Sequence, residues 1–189
     1  MMRTILPLLG VALVSSLPAI AAQPIPLPHF DSVGLEAGGD ITIVPGPVQR
    51  VTLVSGSTEF THFEMRRGNQ LQISTSCSTR CPSNYPLRIV IESPEVPDVA
   101  VKAGGRIVAE RGFAPQRQVS AAVYAGGTID LRAVSADSVS AAIHAGGDIY
   151  VRPQVSLSAA VSDGGDIHYS GNPSVSMAVQ NGGEVRRDY

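Results

Sequence analysis

Val139-Ser-Ala-Ala-Ile143 runs through His144 into Ala145-Gly146-Gly147-Asp148-Ile149, and the same phrase is written three more times around it. Val119-Ser-Ala-Ala-Val123 leads into Ala125-Gly126-Gly127-Thr128-Ile129. Leu157-Ser-Ala-Ala-Val161 leads into Asp163-Gly164-Gly165-Asp166-Ile167, and Val175-Ser-Met-Ala-Val179 into Asn181-Gly182-Gly183-Glu184-Val185. A fainter copy precedes them, with Val99-Ala-Val101 entering Ala103-Gly104-Gly105-Arg106-Ile107. The first glycines, at 104, 126, 146, 164 and 182, are spaced by 22, 20, 18 and 18 residues. A fixed period of this length marks a stacked repeat.

Within each copy apolar and polar residues alternate, which is the period of a half-buried strand and not of a helix. Val119, Ala121 and Val123 share one face, and Ser120, Ala122 and Tyr124 the other. Glycine accepts positive φ at little steric cost, so a glycine pair at constant phase reads as a sharp corner between two strands. One copy cannot bury its apolar face alone, whereas stacked copies build a continuous core. The spacing therefore predicts an all-β, right-handed parallel β-helix with regular rungs over 99–189. In it Ile107, Ile129, Ile149, Ile167 and Val185 form one inner column, and Val101, Val123, Ile143, Val161 and Val179 another. Each buried Val or Ile contributes roughly 1.5–3 kcal/mol before the cost of ordering the chain. The column Ala121, Ala141, Ala159 marks a tight inner position.

The start of the chain has a different character. Met1-Met2-Arg3 is a short basic opening, followed by an apolar run to Val14 and by Ala19-Ile20-Ala21-Ala22. This is the layout of a secretory signal peptide over 1–21, with cleavage after Ala21. An extended lead-in over 22–29 follows, and 30–189 is expected to form one domain. No later stretch is long and apolar enough for a membrane-spanning helix. Without Arg3 there are thirteen basic against sixteen acidic residues, so no basic footprint for nucleic acid exists. Strand candidates between Phe30 and Asp98 are irregularly spaced, and this half is expected to be a less regular cap over one end of the stack. It contains one more glycine pair, Gly38-Gly39, entering Asp40-Ile-Thr-Ile43. Charged Arg186-Arg-Asp-Tyr189 stands at the other end. Cys77 and Cys81 are the only cysteines, and in an exported chain they read as a local disulfide across a turning loop.

These features resemble a known family. The glycine-pair phrases, Phe30-Asp-Ser-Val33, Ile91-Glu-Ser-Pro94 before Val99, and Tyr169-Ser-Gly-Asn-Pro173 are similar to the auto-transporter adhesin, head GIN domain family, over about Phe30 to Val185. Where its members carry Gly-Ser-Gly at the corner, this chain has Ala-Gly-Gly or Asp-Gly-Gly. The resemblance implies an exported right-handed β-helix of the cell envelope, in the periplasm or at the surface, and supplies no catalytic residues.

Little in the sequence carries chemistry of its own. The residues after the glycine pairs, Asp40, Arg106, Thr128, Asp148, Asp166 and Glu184, form an outward column whose last three members make an acidic edge. Neighbouring carboxylates on strands about 4.8 Å apart repel only weakly in water, so a solvated edge accounts for them. A weak Ca²⁺ site, or paired carboxylates acting on a polysaccharide, is the sharper reading. His29, His62, His144 and His168 are scattered without metal-ligand spacing. Ser120, Ser140, Ser158 and Ser176 form a hydroxyl ladder along an outward face, with no nucleophile elbow. The expectation is thus a non-enzymatic module with no cofactor and no metal, meeting an envelope or surface ligand, glycan or protein, and open to self-association at its ends. The alternative is a polysaccharide-active enzyme using Asp148 and Asp166 with Arg132 or Arg152. The site residues expected on structural grounds are Cys77 and Cys81 and the corner glycines at 38, 39, 104, 105, 126, 127, 146, 147, 164, 165, 182 and 183. Expression in an exporting bacterial host, followed by mass spectrometry of the secreted chain, should give a new N-terminus at Ala22.

Overall fold

A computed structural model describes residues 22–77 and 85–188. The expected signal peptide over 1–21 and Cys81, with the bridge it would make to Cys77, lie outside the described residues.

The described residues form seventeen strands. The first nine are β1 (Gln23–Ile25), β2 (Ser32–Leu35), β3 (Asp40–Pro45), β4 (Arg50–Ser55), β5 (Thr61–Arg66), β6 (Gln70–Thr75), β7 (Arg88–Ser93), β8 (Asp98–Val101) and β9 (Arg106–Ala109). The repeated half supplies β10 (Gln116–Ala125), β11 (Thr128–Asp130), β12 (Ala136–Ala145), β13 (Asp148–Val151), β14 (Pro153–Ser162), β15 (Asp166–Tyr169), β16 (Ser174–Gln180) and β17 (Glu184–Arg187). Nine strands make one sheet in the order β1-β4-β7-β3-β9-β11-β13-β15-β17, and eight make another in the order β16-β14-β12-β10-β8-β2-β6-β5. Each glycine pair lies where the chain passes from the eight-stranded to the nine-stranded sheet.

Like residues lie beside like. Ile107, Ile129, Ile149, Ile167 and Val185 are register partners across the nine-stranded sheet. Val101, Val123, Ile143, Val161 and Val179 are partners across the other. With the alanine column, all of them but the exposed terminal Val179 close on one hydrophobic cluster drawn from both sheets, Val185 packing part-buried against it.

The expected right-handed parallel β-helix is nonetheless not what forms. Both sheets are mixed: β4 pairs antiparallel with β7 and with β1, and β5 pairs antiparallel with β6. There is no closed solenoid, only two open sheets sharing a core. The expected irregular cap over 30–98 is also wrong in part. The phrase around Gly38-Gly39 sits inside the parallel array, with β2 between β6 and β8 and β3 between β7 and β9. Strands β4 to β7 interrupt the series. Among them β6 and β7 add a further parallel pair of strands below the first copy, and antiparallel β4 and β5 lie beyond them.

The corners are held by one repeated bond. The amide of the residue after each glycine pair donates to the carbonyl one copy back: Thr128 to Gly105, Asp148 to Gly127, Asp166 to Gly147 and Glu184 to Gly165, at 3.0–3.1 Å. Gly147, at φ 103°, shows why glycine is required. A Cβ there would lie 2.6 Å from the Gly127 carbonyl oxygen, the acceptor in this ladder, and 2.8 Å from Val123 Cγ1. Gly146, at φ 71°, would place its Cβ in open space. Thermal melts should separate the two. Gly146→Ala costs about 1–2 kcal/mol, the price of a left-handed residue alone, whereas Gly147→Ala adds a backbone collision and costs more than about 3 kcal/mol. Equal losses would show that the carbonyl ladder is not what fixes the corner.

Candidate functional site

The outward face of the nine-stranded sheet carries the most concentrated chemistry among the described residues. Asp130, Tyr150, His168 and Arg186 are successive register partners on β11, β13, β15 and β17. Thr128, Asp148, Asp166 and Glu184 form the adjoining column. The strands bring these groups together because side chains two apart share a face and the copies stack in register.

A file of stacked groups results. The Arg132 guanidinium lies 4.6 Å from the Tyr150 ring centre, and the Tyr150 and His168 rings stack at 4.4 Å and 21°. Arg132 grips Asp130 with both ends of its fork, Nε to Oδ1 at 3.0 Å and a second nitrogen to Oδ2 at 2.6 Å. His168 is only 5% exposed although it points outward, because Tyr150 and Arg186 flank it. Its Nδ1 stands 3.1 Å from Asp188 Oδ1 and 3.2 Å from Arg186 Nε. Protonated, that nitrogen donates to Asp188; unprotonated, it accepts from Arg186. It cannot do both.

Asp148, Asp166 and His168 each bring a ligand atom within 4.8 Å of the others. The column position of Asp148 and Asp166 was legible in the sequence; the arrival of His168 beside them was not. The signal lay in aligning the third residue after each glycine pair, which gives Asp130, Tyr150, His168 and Arg186. The two arginines considered for catalysis stand elsewhere. Arg132 and Arg152 line a shallow depression with Glu110, Arg111 and Asp130, and neither Asp148 nor Asp166 belongs to it. The carboxylate pair and the basic residues therefore do not converge on one groove.

The hydroxyl ladder lies on the other sheet. Ser120, Ser140 and Ser158 are register partners with Ser176 next in line, and Ser156 donates to Ser138 at 2.9 Å. His144 is exposed on this sheet, while His29 and His62 lie far back in the chain, bonded to Asp31 and Ser76. The corner glycines at 104, 105, 126, 127, 146, 147, 164, 165, 182 and 183 all have positive φ, as does Gly39. Asp163 and Asn181, which replace Ala125 and Ala145, have φ of 56° and 53°. Short polar residues tolerate that region and alanine does not, so the substitution reports a changed corner.

Burial pushes the Asp130 carboxyl up, but the hydrogen bonds and charge of Arg132, with the charge of Arg106, more than offset this and hold it below its ordinary value of 3.8. A lowered carboxyl contributes stability above its unfolded value and loses it as pH falls through the folded one. Arg132 is half exposed, so the pair is worth less than about 1 kcal/mol. Arg132→Met should raise the Asp130 titration midpoint in a carboxyl NMR titration. The stability gap between variant and parent at neutral pH should shrink on acidification below pH 4; a gap independent of pH would assign it to packing on Tyr150 alone.

No curated protein matches the chain. Solved structures of similar outline include a "putative adhesin" from Bacteroides fragilis, at 16% identity and TM-score 0.42, covering 89% of this chain and 96% of its own. Another "putative adhesin", from Parabacteroides merdae, is 11% identical at TM-score 0.40 with the same coverage. A "putative lipid binding protein" from Parabacteroides distasonis is 14% identical at TM-score 0.37, again covering 89% and 96%. Scores of that size establish neither a shared arrangement of strands nor a role. The sequence match is narrower and firmer: residues 115–173, which hold β10 to β15 entire, match the family model described as "Putative auto-transporter adhesin, head GIN domain".

Proposed function

We propose that this chain is an exported, non-enzymatic module of the cell envelope that adheres to a surface ligand through the outward face of the eight-stranded sheet. The observation that carries the reading is the composition of that face. Ser120, Ser140, Ser158 and Ser176 run beside Ala122, Ala142, Ala160 and Ala178 as two straight columns. Small, exposed side chains repeated at the strand spacing make a broad, flat surface with a regular row of hydroxyls. Such a surface suits a repetitive polymer, glycan or peptide, better than a small molecule, which needs a concave pocket. The family match over 115–173 covers much of this face and supports an adhesin-like role. The basic, apolar and small-residue layout of residues 1–21 supports export.

One observation favours a second reading, a polysaccharide-active enzyme: the approach of Asp148, Asp166 and His168 to within 4.8 Å. Against it stand the Arg132–Asp130 pair, which keeps that arginine away from the carboxylates, and the absence of both from the depression that Arg132 and Arg152 line.

An array of bacterial and host polysaccharides, probed with the labelled exported chain, separates the two. Binding to some polymers without new reducing ends is expected. Ala142→Arg should weaken it about tenfold by placing a long charged side chain on the flat face, while Asp148→Asn with Asp166→Asn leaves it unchanged. Release of oligosaccharide, abolished by the aspartate pair, would sink the adhesion reading.

A further inference from the structure

The two ends of the parallel array are finished differently. At one end antiparallel strands extend both sheets, β5 on β6 and β4 then β1 beyond β7, so that the edges there are the charge-bearing β5 and the three-residue β1. At the other, β16 and β17 are the last strands, and no described strand pairs with their outer edges. The core runs out there. Ala159 and Val161 are 3% and 1% exposed, whereas their register partners Met177 and Val179 are 62% and 42% exposed. Solvent-facing edges are ordinarily blunted by charge. The β17 edge is, with Glu184, Arg186 and Arg187. The β16 edge, Ser-Val-Ser-Met-Ala-Val-Gln, carries no charge at all.

We infer that this edge is a pairing surface for a second copy of the chain, β16 lying antiparallel to β16 of its partner about a two-fold axis through Met177. The sequence of the strand is self-complementary in that register. Met177 faces Met177, Val175 faces Val179, Ser176 faces Ala178 and Ser174 faces Gln180, so inward positions meet inward apolar groups and outward positions meet small or polar ones. The backbone agrees. The Gln180 carbonyl accepts from the amide of Asp163, the residue that follows β14, so by alternation Val175, Met177 and Val179 direct their amides and carbonyls to the free edge. Centring the pair on Met177 therefore makes it a hydrogen-bonded pair, with about six backbone bonds along the strand. A two-fold axis normal to the sheet is the operation that sets an edge antiparallel to itself, and it closes at two copies. The change from the alanine column to methionine fits the same picture. Ala121, Ala141 and Ala159 sit between neighbouring repeats of the one chain, while Met177, 62% exposed, has space in front of it that a second Met177 would fill.

Sedimentation equilibrium of the purified exported chain at tens of micromolar tests this. A monomer–dimer equilibrium is expected. Met177→Lys should weaken it about tenfold or more, since the axis would set two ammonium groups against each other in a desolvated seam, and Ser140→Lys, on the outward face, should not change it. A second measurement needs no variant: amides of Val175, Met177 and Val179 should become protected from hydrogen exchange as concentration rises. A chain monomeric throughout, a dimer indifferent to Met177→Lys, free exchange of those amides at every concentration, or assembly beyond two copies would each overturn the inference.

Discussion

One hydrogen bond, repeated, decides the arrangement of this protein. At every corner the carbonyl of the last residue before the second strand accepts from the amide of the next copy. In spatial order the acceptors are Leu87, Gly39, Gly105, Gly127, Gly147 and Gly165. The bond sets the distance between copies at the point where the chain changes sheets, and side chains there would stand in the way of the neighbouring backbone. Glycine recurs because the corner is crowded by the copy behind it, as the Gly127 carbonyl crowds Gly147. Leu87 is the telling exception. No parallel copy lies behind it, only antiparallel β4, so the requirement for glycine lapses and the signature disappears.

With the corners fixed, the faces follow. Inward positions are held to aliphatic residues by the core, and burial of these columns supplies the driving force. Outward positions are free of that constraint and have diverged by sheet. The eight-stranded sheet kept serine and alanine and presents a flat face. The nine-stranded sheet collected Arg132, Tyr150, His168 and Arg186 into a stack that buries a histidine on a nominally exposed surface. Repetition thus produces both a uniform surface and a local cluster, depending on whether the third residue after the corner is conserved in kind along the column.

The two ends of the described array differ. At one end β4, β1 and β5 extend the sheets as antiparallel strands, and these strands are what make both sheets mixed. At the far end charge blunts β17 but not β16. An uncharged edge with its inner residues uncovered leaves backbone donors and acceptors directed outward, and a strand of matching pattern satisfies them at little conformational cost.

The amino-acid sequence by itself determined the strands, the corners, the inner columns and the flat serine face, because those depend on alternation and on local φ preferences that each residue carries with it. The order of its glycine phrases also pointed to the family whose model matches residues 115–173. The order of strands in space was decided only in the tertiary structure. Nothing local says that β6 and β7 lie below the first glycine copy, since Leu87 stands where the later copies have their second glycine, for a reason visible only from what lies behind it. The expected closed helix failed on the same point: mixed sheets come from long-range pairings of β1, β4 and β5, whose sequences read simply as strands. The burial of His168 was likewise a matter of register, set by which copy stacks on which rather than by its own neighbours in the chain.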